Sequence, residues 1–306
     1  MSDPNGWTQD DWEELLLAIK YKQCTPFLGA GACAGVLPLG RDLAEEWAGS
    51  YGFPFADRQN LTRVAQYVAI ERGPKTPRLR IVERFSGKGP PDFNNPDEPH
   101  RVVADLRLPI YITTNYDDFM LRALQRDFPK RAPRREICQW HLARRRQSST
   151  ASAGTSPPPE PTPDQPLVFH LHGCLENVES MVLTEDDYLD FLILLSEVQG
   201  LIPPRIEEAF VASSLLFMGY SLEDMNFRVL FRKLAPYMQR NEGARHVSVQ
   251  LSPRADESTE DQILRARKQR EYLEKQFGLQ KVRVYWGTCM EFAADLRARW
   301  EAFSHG

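Results

Sequence analysis

Six strand-length apolar runs, each followed by a segment of helical period, constrain this chain more than any other feature. They are "TPFLG" (25–29), "PIYITT" (109–114), "LVFHLH" (167–172), "SLLFMG" (214–219), "HVSVQL" (246–251) and "VRVYWG" (282–287). Each is nearly continuous in hydrophobic residues and rich in β-branched or aromatic side chains, the pattern of strands buried on both faces of a parallel sheet. Helix starts stand between them. Thr8 precedes Asp11, and Thr184 precedes Asp187, at the spacing of a capping box. The alternation predicts an α/β fold: a doubly wound, mostly parallel six-stranded Rossmann-like sheet.

Two segments break the alternation. Residues 58–106 carry helical patterns ("LTRVAQYVAIE", "PRLRIVERF", "HRVVADL") without a convincing strand, and are expected to form a helical module inserted beside the sheet. Residues 144–166, "RRRQSSTASAGTSPPPEPTPDQP", are low-complexity Ser/Pro/Thr sequence unable to bury a core, and are expected to form a mobile loop. Both are read as parts of one domain spanning residues 1–306. With 42% hydrophobic and 26% charged residues, a chain of this length can bury a substantial core.

Bulk charge excludes little else. A net charge of -4 gives no general attraction to nucleic acid or acidic membranes, so such contact would need a local patch. The segment from Arg122 to Arg146, with nine basic residues around Trp140 and His141, is the one place where nucleic acid, an acidic partner or another subunit could dock. A solvated face explains the same run equally simply. The acidic opening "MSDPNGWTQDDWEELL" lacks the layout of a secretory signal, and the longest apolar run, "FLILL", is too short to span a bilayer. A cytoplasmic protein without membrane contact is expected. Cys24, Cys33, Cys138, Cys174 and Cys289 form no C-x-x-C pair, which removes zinc-ribbon and thioredoxin-like readings.

In an open α/β sheet, ligands sit beyond the carboxyl ends of the strands, and four of these ends are unusual. In "FLGAGACAG", Gly29, Ala30 and Gly31 would let a backbone approach a pyrophosphate, with a helix N-terminus behind them. The spacing is neither G-x-G-x-x-G nor a P-loop, so phosphate cradle and plain structural turn both stay open. In "ITTNYDDF", Asn115 and Asp117 follow directly on a strand, where they could enter the same crevice or simply cap the next helix. In "FHLHGCL", alternation puts His170 and His172 on one side of the strand, as a candidate base or as hydrogen-bonded strand-end residues. In "LLFMGYSLEDMNFRVL", Gly219 and Ser221 close a strand, with Asp224 and Asn226 leading into a helix.

Taken together and in order, these elements resemble the sirtuin-like (silent information regulator-like) NAD-hydrolase family, in its zinc-free bacterial antiviral-defence branch. "FLGAGACAGVLPLGRDLAEEWA" is similar to that branch's Gly-Ala-Gly turn and following helix, "TTNYDDFM" to its Thr-x-Asn-x-Asp element, "HLHG" to its His-Gly, and "MGYSLEDMNFR" to its Gly-Tyr-Ser turn. The late "WGTCMEFAADL" resembles its final turn and helix. The resemblance implies an NAD glycohydrolase releasing nicotinamide and ADP-ribose. Asn115 would orient the ribose and the attacking water, and His172 would act as base. Gly29, Ala30 and Gly31 would meet the pyrophosphate, Arg41 would lie near the nicotinamide end, and Asp117 would engage the nicotinamide amide. Gly219, Tyr220 and Ser221 would face phosphate and ribose, with Thr288 and Cys289 beside the adenine. Cys33, also in the implied binding set, replaces the serine usual after the Gly-Ala-Gly turn, so a hydroxyl hydrogen bond there is lost.

Sirtuin deacylases place a four-cysteine zinc module between the His-Gly and Gly-Ser elements. Here the interval from Gly173 to Gly219 contains only Cys174. The resemblance therefore implies no metal and no cofactor beyond NAD as substrate, with hydrolysis ahead of deacylation. An NAD- or ADP-ribose-binding sensor without turnover is the alternative. The family further implies control by homo-oligomerisation or by a partner such as a DNA-translocating ATPase or an Argonaute-type protein.

Overall fold

The computed structural model describes residues 5–146, 159–221, 225–239, 245–251, 260–278 and 281–305. Seven strands form one sheet: β1 (Cys24–Leu28), β2 (Ile110–Thr113), β3 (Arg134–Ile137), β4 (Leu167–His170), β5 (Ser214–Met218), β6 (His246–Gln250) and β7 (Val282–Trp286). All pairs are parallel, in the order β3-β4-β2-β1-β5-β6-β7. The helices are α1 (Gln9–Lys20), α2 (Gly40–Ser50), α3 (Leu61–Arg72), α4 (Thr76–Phe85), α5 (Pro99–Asp105), α6 (Phe119–Gln125), α7 (Trp140–Arg146), α8 (Glu185–Glu197), α9 (Pro204–Ala212), α10 (Met225–Gln239), α11 (Glu260–Gly278) and α12 (Cys289–His305). Both expected capping boxes form, Thr8 with Asp11 at α1 and Thr184 with Asp187 at α8.

The sheet is doubly wound, with one strand more than the sequence predicts. The extra strand, β3, has no apolar run to announce it. As an edge strand it pairs only with β4 and carries Arg134, Arg135 and Glu136, whose charges deter further pairing. Successive residues of the central strands serve opposite cores, which is why those strands read as continuous hydrophobic runs. Phe27, Ile112, Phe169 and Phe217 pack with α8, α9 and α10 on one face. Leu28, Tyr111, Val168 and Met218 pack with α1, α5 and α12 on the other. Pro26 sits in the central β1, and the ladder to β2 begins only after it, at Phe27 opposite Ile112.

Residues 58–106 contain helices α3, α4 and α5 and no strand. They do not act as one body. α3 and α4 share a separate core with α2, built on Trp47, Val64 and Ile81, whereas Val102 and Val103 of α5 join the core beneath the sheet. Of the expected loop at 144–166, residues 144–146 end α7, residues 159–166 lead irregularly into β4, and the remainder lies outside the described residues. Among the described residues, no helix is long and apolar enough to cross a membrane.

Candidate functional site

The chain leaves β1 toward β2 on one side and leaves β5 toward β6 on the other, so the topological switch point lies between β1 and β5. Their two carboxyl-end turns interlock there. Gly29 N–H donates to the Met218 carbonyl at 2.8 Å and Gly31 N–H to the Gly219 carbonyl at 2.9 Å. A Cβ on Gly31 would stand 2.8 Å from Gly219 Cα, and one on Gly219 would stand 2.3 Å from Ala32 N. Gly219 also has φ +83°, a backbone region that side chains resist. The glycines are thus required by close packing of one turn on the other. Ala32 N–H turns back to the Gly29 carbonyl at 3.0 Å, so three amides of the first turn are spent within the fold. Ala30 is the exposed residue of the turn.

Tyr220 locks the same junction from below. Its hydroxyl donates to the Leu28 carbonyl and accepts from Thr114 Oγ1, each at 2.8 Å, and its ring stacks on Phe227 with centroids 4.6 Å apart. Burial pushes this phenol far above its usual range. Ser221 is exposed, Asp224 lies outside the described residues, and Asn226 falls inside α10.

β2 delivers the next element. Its end is fixed by Thr113 Oγ1, which donates to the Leu28 carbonyl at 3.1 Å and accepts from Asn115 N–H at 2.9 Å. The buried Asn115 amide then reaches across to the first turn, with Nδ2 donating to the Gly29 carbonyl at 3.0 Å and to Cys33 Sγ at 3.3 Å. Both donors are thereby committed, leaving Oδ1 as the end able to accept. Asp117 does two things at once. Its Oδ1 accepts from Phe119 N–H at the start of α6, the capping bond the sequence left open, and its Oδ2 accepts from the Cys33 thiol at 3.3 Å. Cys33 therefore keeps a hydrogen-bonding role where the family resemblance led us to expect its loss.

Sequence reasoning missed His100. It is buried at the start of α5, with Nε2 3.8 Å from Cys33 Sγ and Nδ1 2.7 Å from Glu98 Oε1. Glu98 Oε2 accepts from Arg101 N–H, capping α5 and fixing the carboxylate that orients the imidazole. Nothing local in "EPHR" distinguishes it from an ordinary helix start. Burial first, and then the Asp117 and Glu98 carboxylates, hold the Cys33 thiol well above its usual pKa.

The two histidines do not share a face. β4 ends at His170, and Leu171 and His172 already lie in a turn that Gly173 continues at φ +85°, so the alternation stops short of His172. The turn docks tightly, because a Cβ at Gly173 would stand 2.2 Å from the Ser180 carbonyl oxygen. His170 places Nδ1 3.1 Å from the Asn115 carbonyl. His172 instead lies edge-on to Tyr188 and Phe191 of α8, with ring centroids 5.7 and 5.1 Å away, and its buried Nε2 has no partner. Burial lowers both imidazoles, His172 to about 3. Both are neutral at pH 7.

Of the remaining candidates, Thr288 is exposed and caps α12 in exchange with Glu291. Cys289 lies half-buried against the Gly219 backbone, its thiol pushed up to about 12 by burial. Arg41 sits on the exposed side of α2, 3.6 Å from Asp42, away from the Asn115 cluster's contacts. A cavity of about 250 Å³ opens beside Asp117, walled by Leu37, Phe85, Tyr116 and Phe119 and rimmed by Arg122 and Arg135.

The basic segment is largely consumed internally. Arg122 pairs with Asp118, Arg126 with Asp105, Arg135 with Glu176 and Arg144 with Asp190. Arg131 is fully buried, donating to the Pro163 and Ala104 carbonyls and to the Tyr111 hydroxyl.

Several known proteins are similar to this chain. The NAD(+) hydrolase ThsA of Cytobacillus dafuensis is 25% identical over 228 residues, covering 74% of this chain and 41% of that protein. That of Bacillus cereus (strain MSX-D12) is 25% identical over 250 residues, covering 79% and 46%. That of Acinetobacter baumannii (strain 532279) is 22% identical over 206 residues, covering 66% and 37%. The chain thus spans less than half the length of these curated relatives. A solved structure described as "Structural Basis for the Mechanism and Regulation of Sir2 Enzymes" aligns over 98% of this chain and 100% of that chain, with TM-score 0.47 and 13% identity. The SIR2-like domain model matches residues 109–278, more than half the chain and the stretch from β2 through α11. The chain belongs to the SIR2-like domain family.

Proposed function

We propose that this protein cleaves the N-glycosidic bond of NAD, releasing nicotinamide and ADP-ribose. The observation that carries the reading is the bond from Asn115 Nδ2 to the Gly29 carbonyl at 3.0 Å. It joins the Thr-x-Asn-x-Asp element to the Gly-Ala-Gly turn beside the switch point, where open α/β sheets bind nucleotides. The names of the relatives, NAD(+) hydrolase, support the same reaction.

The chemistry asks little of the side chains. Nicotinamide leaves as a neutral molecule from a cationic ring, so no acid is needed, and the site must hold the ribose as it takes on oxocarbenium character. Asn115, its amide turned by two committed N–H donors, offers Oδ1 to a ribose hydroxyl or to the attacking water. His172 offers an unpartnered buried Nε2 to an O–H donor. Asp117, with Tyr116 and Phe119, borders a cavity whose aromatic walls suit a flat neutral leaving group and whose carboxylate can accept from its carboxamide. Gly219, Ala30 and Cys289 would meet the pyrophosphate and adenine. Control by assembly or by a partner chain belongs to the same proposal.

The test is nicotinamide release from NAD by the full-length protein, purified together with the products of its neighbouring genes. Release that Asn115→Ala or His172→Ala removes supports the proposal, and no release from the assembled protein overturns it. One observation favours a second reading, a module that binds NAD or ADP-ribose without turnover. An imidazole held at about 3 is a weak base at neutral pH. Tight calorimetric binding with no nicotinamide release, unchanged by His172→Ala, would establish that module.

A further inference from the structure

We propose that Cys33, His100 and Asp117 form a binding site for a zinc-type divalent metal ion, with Glu98 and Asn115 as its outer shell. The three ligand atoms, Cys33 Sγ, His100 Nε2 and an Asp117 carboxylate oxygen, lie within 4.8 Å of one another and belong to buried residues. In the pairs that touch, Sγ is 3.3 Å from Asp117 Oδ2 and 3.8 Å from His100 Nε2. A tetrahedral zinc ion, bound at about 2.3 Å to sulfur and about 2.0 Å to nitrogen or oxygen, holds its ligand atoms about 3.5 Å apart. Little movement separates the two geometries.

Proton counting points the same way. If Nδ1 of His100 donates to Glu98, Nε2 is a bare lone pair facing the Cys33 sulfur. The single thiol proton must then serve either Nε2 or Asp117, never both. With that tautomer one lone pair of the cluster stays without a hydrogen. A cation accepted by all three resolves the deficit and supplies the positive charge that makes a buried thiolate tolerable. The outer shell is already built. A carboxylate on the far nitrogen of a ligating histidine is the usual support of a zinc site, and Glu98 stands there at 2.7 Å, itself fixed by Arg101 N–H. Asn115 Nδ2 donates to the same sulfur at 3.3 Å, as amides do to metal-bound thiolates. The sulfur, nitrogen and oxygen donors select zinc or cobalt over magnesium or calcium. Asp117, the ligand nearest solvent, also borders the cavity of about 250 Å³, which Cys33 and His100 do not line.

Occupancy would anchor the sulfur against which the Asn115 amide turns, and so bears on turnover. That consequence, and only that one, rests on the proposed NAD hydrolysis. Zinc would then act as an inhibitor.

The test uses the full chain, freed of metal with a chelator and titrated with Co²⁺ under reducing, anaerobic conditions. One equivalent should bind, giving a thiolate-to-cobalt charge-transfer band and the intense visible bands of four-coordination, all displaced by Zn²⁺. Cys33→Ser should lose the charge-transfer band and His100→Gln should weaken binding at least tenfold. Cys289→Ser, which alters a thiol neighbouring Cys33 outside the three ligands, should keep the spectrum. Circular dichroism establishes that each variant is folded. Absence of these bands in the unaltered chain, or their survival in a folded Cys33→Ser chain, overturns the site. Bound cobalt with nicotinamide release unaffected by Zn²⁺ overturns the inhibition alone. Bands in the unaltered chain, with no nicotinamide release from the metal-free assembled protein, would refute NAD hydrolysis and leave the metal site standing.

Discussion

At the scale of single residues, Gly219 and His172 make the sharpest demands. Gly219→Ala must place a methyl 2.3 Å from Ala32 N and 2.6 Å from the Gly29 carbonyl oxygen at a positive φ. Overpacking and backbone strain together should cost about 3 kcal/mol, read as a lower urea midpoint. His172 is neutral in the fold, with its pKa lowered from 6.5 to about 3 by burial. Below the unfolded value the unfolded chain binds the extra proton, so this histidine subtracts stability as pH falls from 6.5 toward 3 and has no such effect above 6.5. The slope approaches about 1.4 kcal/mol per pH unit inside that window. Urea titrations at pH 7, 5.5 and 4.5 should show it, and His172→Gln should lessen it, leaving the share of His170, which burial also lowers. His172 also marks where the sequence misleads. Alternation is a sound guide only while a strand lasts, and docking of Gly173 on Ser180 ends this one two residues early. Cys33 and His100 were illegible as a pair for a different reason: 67 positions separate them, and only the tertiary fold joins them.

At the scale of elements, Asp187 binds the α3–α4 helices to the sheet-bound body. Within α8 its Oδ2 accepts from the Thr184 and Leu183 amides, and its Oδ1 takes the Arg78 guanidinium of α4 at 2.6 Å. Asp187→Ala should cost about 3 kcal/mol, because buried donors lose their acceptor. A double-mutant cycle with Arg78→Ala should return a coupling of about 1 to 3 kcal/mol. The capping box that announces this helix was visible in the sequence, since Thr184 and Asp187 act over three residues. The partner across the helical module was not. β3 was hidden by chemistry rather than distance: Arg135 and Glu136 look like solvent residues, and only their partners Glu176 and Arg205 make an edge strand tolerable there. The central strands were legible because burial on both faces leaves them mostly apolar, with Thr25, Thr113 and His170 among the exceptions.

For the molecule as a whole, the proposed reaction predicts that its substrate stabilises the fold. In Asn115→Ala, where NAD should persist uncleaved, a concentration about 100-fold above Kd should add about 2.7 kcal/mol. A thermal-shift series against NAD concentration checks this, and a flat series would speak against the crevice between β1 and β5 as its binding place.

The interlocked turns at that crevice also govern when the protein comes into being. Tyr220 grips the Leu28 carbonyl across 192 positions of sequence, and Gly29 and Gly31 find their packing partners in Gly219 and Tyr220. A chain emerging from the ribosome therefore carries the Asn115 and His172 elements long before the floor beneath them can close. Synthesis that stalls ahead of β5 yields Asn115, Asp117 and His172 and no crevice to hold a nucleotide. Long-range closures of this kind form late. On the proposed NAD hydrolysis, a half-made chain would have no crevice in which to consume its substrate.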